Sequence, residues 1–312
     1  MLRALQTCRP GPAVRMWSCR RFPRCLAAAA QAAVVGIDAR ATAEQTMAKL
    51  AASDTRSCAA DDRLASWQAQ WDEKKLGWHM AEINPVLANN FKELFHQDIS
   101  GQRILFPLCG KTIDMAFLAR SGYRVVGVDG VEAAIYEFAA EQSSTGIPSH
   151  LDLPEGVDGA RFKGYTVVPS SPEGQQPGVT PQPVTLIKGD FLSIGKKDAE
   201  SLVPFNAAFD RGSLVAVRPA DRFQYMTTLS HLIAPGGKVL LQVFEHDPFE
   251  DGRLGPPFEV TEAQLRELCA GKFDVRPLSR RDALDDIPYM REVGVTYFTE
   301  CVYLLQRLAP AV

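Results

Sequence analysis

The residues from Ile104 to Asp129, ILFPLCGKTIDMAFLARSGYRVVGVD, leave few folds open to this chain. Ile104, Leu105 and Phe106 form an apolar run that Pro107–Gly110 breaks. Ile113, Ala116 and Phe117 then recur at i, i+3 and i+4, the spacing of a helix with one buried face. Gly122 ends that helix, and Arg124–Val128 is β-branched and apolar, as in a fully buried parallel strand. Strand, tight turn, helix and strand make one βαβ unit. In an open α/β sheet the turn after the first strand meets the ligand. The acid after the second strand, Asp129, lies where it can accept hydrogen bonds from ribose hydroxyls. The unit therefore implies a site for an adenosine-containing cofactor, with simple capping of the next helix as the plainer role for Asp129.

A chain of 312 residues, 46% hydrophobic and 23% charged, suits one large α/β domain or two small ones. No run approaches the ~20 apolar residues of a membrane helix. Residues 1–37 hold six arginines and no acid, so a net charge of −3 leaves −9 on the remainder. An acidic body without a basic stripe argues against nucleic acid as a partner. The seven cysteines include no C-x-x-C pair, and Cys8, Cys19 and Cys25 fall in the arginine-rich leader. That pattern excludes a disulfide scaffold or a zinc site, the histidines are dispersed, and no metal is expected. An intracellular protein is expected. The leader itself matches a mitochondrial transit peptide better than a secretory signal, a mispredicted start or a disordered tail being the bland alternatives. Residues 38–60 read as a polar linker, so the expected organisation is a leader over 1–60 and one domain over 61–312.

From Asp61 the character changes. Trp67 and Trp71 are four apart and share a helical face, whereas Lys74, Lys75 and Gly77 put Trp78 beyond the helix in a turn. Such a stripe is either core packing or the cover of a pocket. Pro85–His96 reads as an amphipathic helix, and Val131–Gln142 as a second one after Asp129. Residues 146–183 are dense in proline and glycine around a short strand-like run, Tyr165–Val168, which suggests a surface excursion. Strands are expected at Val184–Lys188, Phe205–Phe209, Lys238–Phe244, Phe273–Pro277 and Tyr297–Leu305. Helices are expected at Asp221–Leu232 and from Thr261, where Gln264 completes a capping box. The sum is a single doubly wound, mostly parallel sheet of about seven strands, with ligands at its carboxyl ends.

The turn chemistry narrows the cofactor. A dinucleotide fold wants G-x-G-x-x-G, so that glycines admit a pyrophosphate. Here Pro107-Leu108-Cys109-Gly110-Lys111 holds a single glycine, with a leucine where open backbone is needed. Gly110-Lys111-Thr112 lacks the upstream glycine of a P-loop. An adenosine cofactor without phosphate remains, which is S-adenosylmethionine.

PLCGK at 107–111, VVGVD at 125–129, FDRGSLVAV at 209–217, GPPF at 255–258 and CVYLL at 301–305 together resemble the thiopurine S-methyltransferase family. The tryptophan segment from Trp67 to His79 matches its amino-terminal cover, and the resemblance runs from Trp67 to Leu308. It implies a Rossmann-like class I methyltransferase that is monomeric and cytoplasmic, or mitochondrial if the leader acts. Trp67, Trp71 and Trp78 then fall on the segment that closes over the cofactor, with Trp78 also bordering the substrate. Leu108 falls on the backbone contact of the turn, Asp129 replaces a glutamate on the ribose, and Gly189 and Asp190 fall on the adenine side. Arg211 falls on an arginine near both cofactor and substrate. Arg291 lies close to a second substrate arginine, about two positions out of register. A structural ion pair of Arg211 with Asp190 or Asp210 is the alternative role for that residue, and Cys109 reads as a buried small hydrophobe. The expected reaction moves the methyl group to the sulfur of an aromatic or heterocyclic thiol. Other acceptors (halide, thiocyanate, selenium or tellurium compounds) or a cofactor-binding protein without turnover are the alternatives.

Overall fold

Two helices lead into the sheet in the computed structural model, which describes residues 60–95, 101–170, 180–202 and 204–309. The leader expected at 1–37 and nearly all of the linker lie outside the described residues. Helix α1 spans Ala60–Asp72 and α2 spans Pro85–Leu94. Asn84 caps α2 by accepting from the Val86 N–H, and Pro85 takes the first helical position, where no N–H is needed.

The βαβ unit follows as β1 (Arg103–Pro107), α3 (Ile113–Arg120) and β2 (Arg124–Asp129). β1 and β2 pair in parallel from Arg103↔Arg124 to Pro107↔Val128. The buried face of α3 is Met115, Ala116, Leu118 and Ala119, shifted from the expected one because the helix is packed by the sheet and by its neighbouring helices together. Ile113 and Phe117 are half-buried. Gly127 explains itself here: a Cβ at that position would lie 2.7 Å from Cys109 Sγ and 2.8 Å from Met115 Sδ.

Beyond α4 (Glu132–Gln142) the chain adds β3 (Ser149–Leu151), β4 (Lys163–Val167), β5 (Val184–Lys188) and the short α5 (Lys196–Ser201). It continues through β6 (Phe205–Arg211), α6 (Arg222–Leu232), β7 (Ile233–His246) and α7 (Glu262–Cys269). β8 (Phe273–Asp282), α8 (Pro288–Glu292) and β9 (Phe298–Arg307) close the fold. The sheet order is β3-β4-β5-β2-β1-β6-β7-β9-β8, nine strands among the described residues rather than seven. The extra pair comes from the stretch read as a surface excursion. β4 adds antiparallel to β5 and buries Tyr165 and Val167, an edge pairing that the surrounding prolines and glycines obscure in the sequence. The five central strands, from β5 to β7, are parallel.

Alternate residues of β1 feed the two faces of the sheet: Leu105 joins one buried cluster, Ile104 and Phe106 the other. Each such fully buried side chain contributes roughly 1.5–3 kcal/mol. Strand order reverses at β1, whose neighbours are β2 and β6, so the crevice outside its carboxyl end is the place for a ligand. No helix among the described residues is long and apolar enough to cross a membrane.

Candidate active site

The turn after β1 is shaped by two residues with left-handed backbone, Leu108 at φ 42° and Gly110 at φ 53°. That conformation is easy for glycine and costs about 1 kcal/mol or more for leucine. It is held because the Cys109 N–H donates to the Val128 carbonyl at 2.9 Å and the Gly110 N–H to Asp129 Oδ2 at 2.8 Å. Two amides of the turn are thus already used, leaving no open row of N–H groups for a pyrophosphate. The geometry agrees with a phosphate-free adenosine.

Asp129 is 9% exposed, and its second oxygen accepts from the Val131 N–H at 2.8 Å. The capping role and the ligand role are therefore compatible. An ionised carboxylate offers about four acceptor positions, and with the backbone donors of Val131, Gly110 and Gly130 engaged about one remains for a ribose hydroxyl. Burial pushes the Asp129 pKa up to about 6, against the backbone donors of Val131, Gly110 and Gly130. Gly189 follows β5 and donates its N–H to the Asp129 carbonyl at 2.9 Å. A Cβ there would lie 2.2 Å from the Phe162 ring, so only glycine lets that ring close beneath the turn. Asp190 accepts from the Leu192 N–H at 3.1 Å and from Arg63 Nη2 at 2.9 Å.

Arg63 belongs to α1, which lies across this end of the sheet. Leu64 fills the space beside Gly130, where a Cβ would come within 2.2 Å of it. At the far end of the cover Lys74 pairs with Glu137, which also holds Lys111 at 2.9 Å. Lys111 reaches Glu141 at 2.6 Å as well. The lysine of PLCGK thus fastens α4 to the turn. Trp71 is 3% exposed and packs on Val131 and Ala134. Trp67 and Trp78 are half-buried and meet edge to face with centroids 5.4 Å apart. A Cβ on Gly110 would touch Trp71 at 3.8 Å and Trp78 at 4.0 Å, so the indoles cover the turn.

Arg211, the last residue of β6, donates from Nη1 to the Trp78 carbonyl. Burial lowers its pKa, and the charges of Asp114 and Glu300 oppose that shift. The pairing with Asp190 or Asp210 is not found. Asp190 holds Arg63, and Asp210, pointing to the opposite face of the strand, accepts from Tyr225 Oη at 2.6 Å and the Leu214 N–H at 3.2 Å. The two carboxylates whose charge acts on Arg211 were not singled out from the sequence. Asp114 sits two residues after Thr112, whose hydroxyl donates to it at 2.8 Å, and that capping position is the one local sign of its role.

Arg291 is not brought to this group. Its side chain is 58% exposed and pairs with Asp285, and no contact among the described residues joins it to Arg211 or Trp78. On α8 the inward place is taken by Met290, 5% exposed, so the register offset leaves the arginine outside. Cys109 is buried, and burial, then Asp129, pushes its thiol well above the ordinary range. It is no nucleophile.

An open, mostly parallel α/β sheet, with an acid after β2 and a glycine turn closed to phosphates, defines a class I S-adenosylmethionine-dependent methyltransferase. The sequence pattern described as "Thiopurine S-methyltransferase" matches residues 62–308. The thiopurine S-methyltransferase of Pseudomonas aeruginosa (strain UCBPP-PA14) is 34% identical over 241 residues, 77% of this chain and 97% of that one. The Rattus norvegicus enzyme of the same name is 34% identical over 242 residues, 78% of this chain and 90% of the other. The chain belongs to the thiopurine S-methyltransferase family, and its cofactor is S-adenosyl-L-methionine.

Proposed function

We propose that the chain methylates the sulfur of an aromatic or heterocyclic thiol, of which a thiopurine is the type, with Arg211 and Trp78 on the acceptor side. The observation that carries this is the half-buried Arg211 guanidinium fixed to the Trp78 carbonyl, which ties a cation to the residue that carries an indole. When bound, S-adenosylmethionine supplies a methyl group already activated on a sulfonium, and the acceptor sulfur forms its new bond to carbon as the sulfonium–methyl bond breaks.

The protein's share is alignment and charge. Holding two reactants in line supplies roughly 7–11 kcal/mol of the barrier. A thiol of pKa ~8.5 needs only about 2 kcal/mol to ionise at pH 7, and Arg211 favours the thiolate. Its charge is not cancelled by its acidic neighbours. Asp114 is occupied by the Asn84 N–H and the Thr112 hydroxyl, and Glu300 by Arg281 and Gln242. Trp67 and Trp78 offer faces and edges for a flat heterocycle and exclude water. Asp129 holds the ribose, the Leu108–Gly110 turn the backbone side, and Gly189 and Asp190 the adenine side.

Titrating S-adenosylhomocysteine into the full-length protein by calorimetry should give binding well below ~1 mM. A labelled methyl donor should then mark aromatic thiols ahead of thiocyanate and iodide. No binding at millimolar ligand, or preference for the inorganic anions, would remove this reading.

We further infer a monomer with a catalytic domain over residues 61–312 after a leader, cytoplasmic by family resemblance and mitochondrial if residues 1–37 act as a transit peptide. An intact residue 1 on the cellular protein, found in the cytosolic fraction by mass spectrometry, would leave only the cytoplasmic assignment.

A further inference from the structure

Four polar side chains, before α2, at the start of α3 and on β7 and β9, are almost fully buried: Asn84 at 2%, Asp114 at 2%, Gln242 at 6% and Glu300 at 6% exposed. They form one chain of hydrogen bonds. The Asn84 backbone N–H donates to Asp114 Oδ1 at 2.8 Å, and Asn84 Nδ2 donates to Gln242 Oε1 at 3.2 Å. Gln242 Nε2 donates to Glu300 Oε2 at 2.6 Å, and Glu300 also accepts from Arg281 Nε at 2.7 Å. The two ends of this chain, Asp114 and Glu300, are the carboxylates that oppose the lowered pKa of Arg211.

Both amides are locked in orientation. Asn84 Oδ1 is taken by the Val86 N–H, so only its Nδ2 is left for Gln242. Gln242 must then accept with its oxygen and donate to Glu300 with its nitrogen. It projects from β7, which is paired on both sides. A rigid strand thus holds the end of the segment that runs from Trp78 to Asn84, while Arg211 holds its start through the Trp78 carbonyl. The ribose side is built separately, from Asp129 and Gly110.

We propose that Asn84 and Gln242 are positioning residues for the methyl acceptor, fixing the Trp78–Asn84 segment together with Asp114 and Glu300 at the two ends of the hydrogen-bond chain. This rests on the reading of Arg211 and Trp78 as acceptor-side groups. Neither amide touches the reacting atoms. They act through Trp78 and Arg211, with the ribose side of the cofactor held separately by Asp129, so the acceptor constants move more than the cofactor constants.

The test uses the full-length protein with 6-mercaptopurine as acceptor and S-adenosylhomocysteine as cofactor probe. Gln242→Leu leaves Asn84 Nδ2 and Glu300 Oε2 short of a partner and should raise the acceptor KM ~10-fold, with the S-adenosylhomocysteine Kd within ~2-fold. Gln242→Glu keeps the shape but sets two carboxyls face to face, which can bond only by sharing a proton. Its KM, taken relative to wild type at each pH, should approach wild type at acid pH and rise as the pH increases. This variant carries the test by itself if the leucine variant does not fold. An unchanged KM in both variants, or KM and Kd weakening in step, overturns the proposal. If Arg211→Ala alters the acceptor KM while both Gln242 variants match wild type, only the positioning role falls. If Arg211→Ala leaves that KM unchanged, the acceptor-side reading itself is withdrawn.

Discussion

Replacing Arg211 by alanine should lower kcat/KM for a thiopurine about 100-fold, with most of the loss on the acceptor side. The substitution removes the cation that favours a thiolate. It also frees the Trp78 carbonyl and removes the positive charge that acts on Asp114 and Glu300. Breaking a buried charge arrangement by removing one partner costs about 3–5 kcal/mol where the charges are fully desolvated. Arg211 is only half-buried, so a smaller loss is expected, seen as a fall in Tm of several degrees. Arg211→Lys keeps the charge but has no planar fork, and should recover the Tm before it recovers kcat/KM. Steady-state kinetics beside thermal melts decide the point. A variant with wild-type acceptor constants would show that the guanidinium serves only the fold.

Asp129→Ala should weaken S-adenosylhomocysteine binding roughly 10–100-fold, the range for hydrogen bonds to a charged acceptor. Part of that loss comes from the Gly110 and Val131 amides, which lose their partner. The pH dependence separates the roles. With its pKa raised to about 6 by burial, Asp129 takes up a proton more readily in the folded protein than in the unfolded chain. Its contribution to stability is then fully present below the unfolded value near 4 and is lost as pH rises through about 6. Cofactor affinity runs the other way. A ribose hydroxyl donates to the ionised form, so affinity is full above about 6 and falls as the pH drops through it. Asp129→Asn should be weak at every pH with that slope removed. Calorimetry between pH 5 and 8 would show it, and a wild-type Kd that stays flat across the range would leave Asp129 with the cap alone.

Ile104–Asp129 announced the parallel core of this protein because its information is local. Helical spacing, a glycine turn and β-branched strands follow from neighbours a few residues apart, and PLCGK with VVGVD carried the cofactor. The same locality explains the errors. The strand-like run Tyr165–Val168 was read as part of a surface excursion because the place of β4 in the sheet comes from pairing with β5 across the edge, not from its own proline- and glycine-flanked sequence. Arg291 was taken for its nearness along the chain, about two positions out of register, and the fold of α8 turns Met290 inward and leaves the arginine on Asp285. Trp71 and Trp78 were told apart by the turn between them, but only the packing shows that one sits against α4 and the other lends its carbonyl to Arg211.

The sequence alone pointed to the methyl-donor cofactor, since a turn with one glycine and an acid after the next strand are written into contiguous residues. Only the tertiary structure decided what surrounds Arg211. Asn84 meets Asp114 across 30 positions and Gln242 across 158, and such partners are chosen by which buried polar groups the packed layers bring within reach, a choice made in space rather than along the chain.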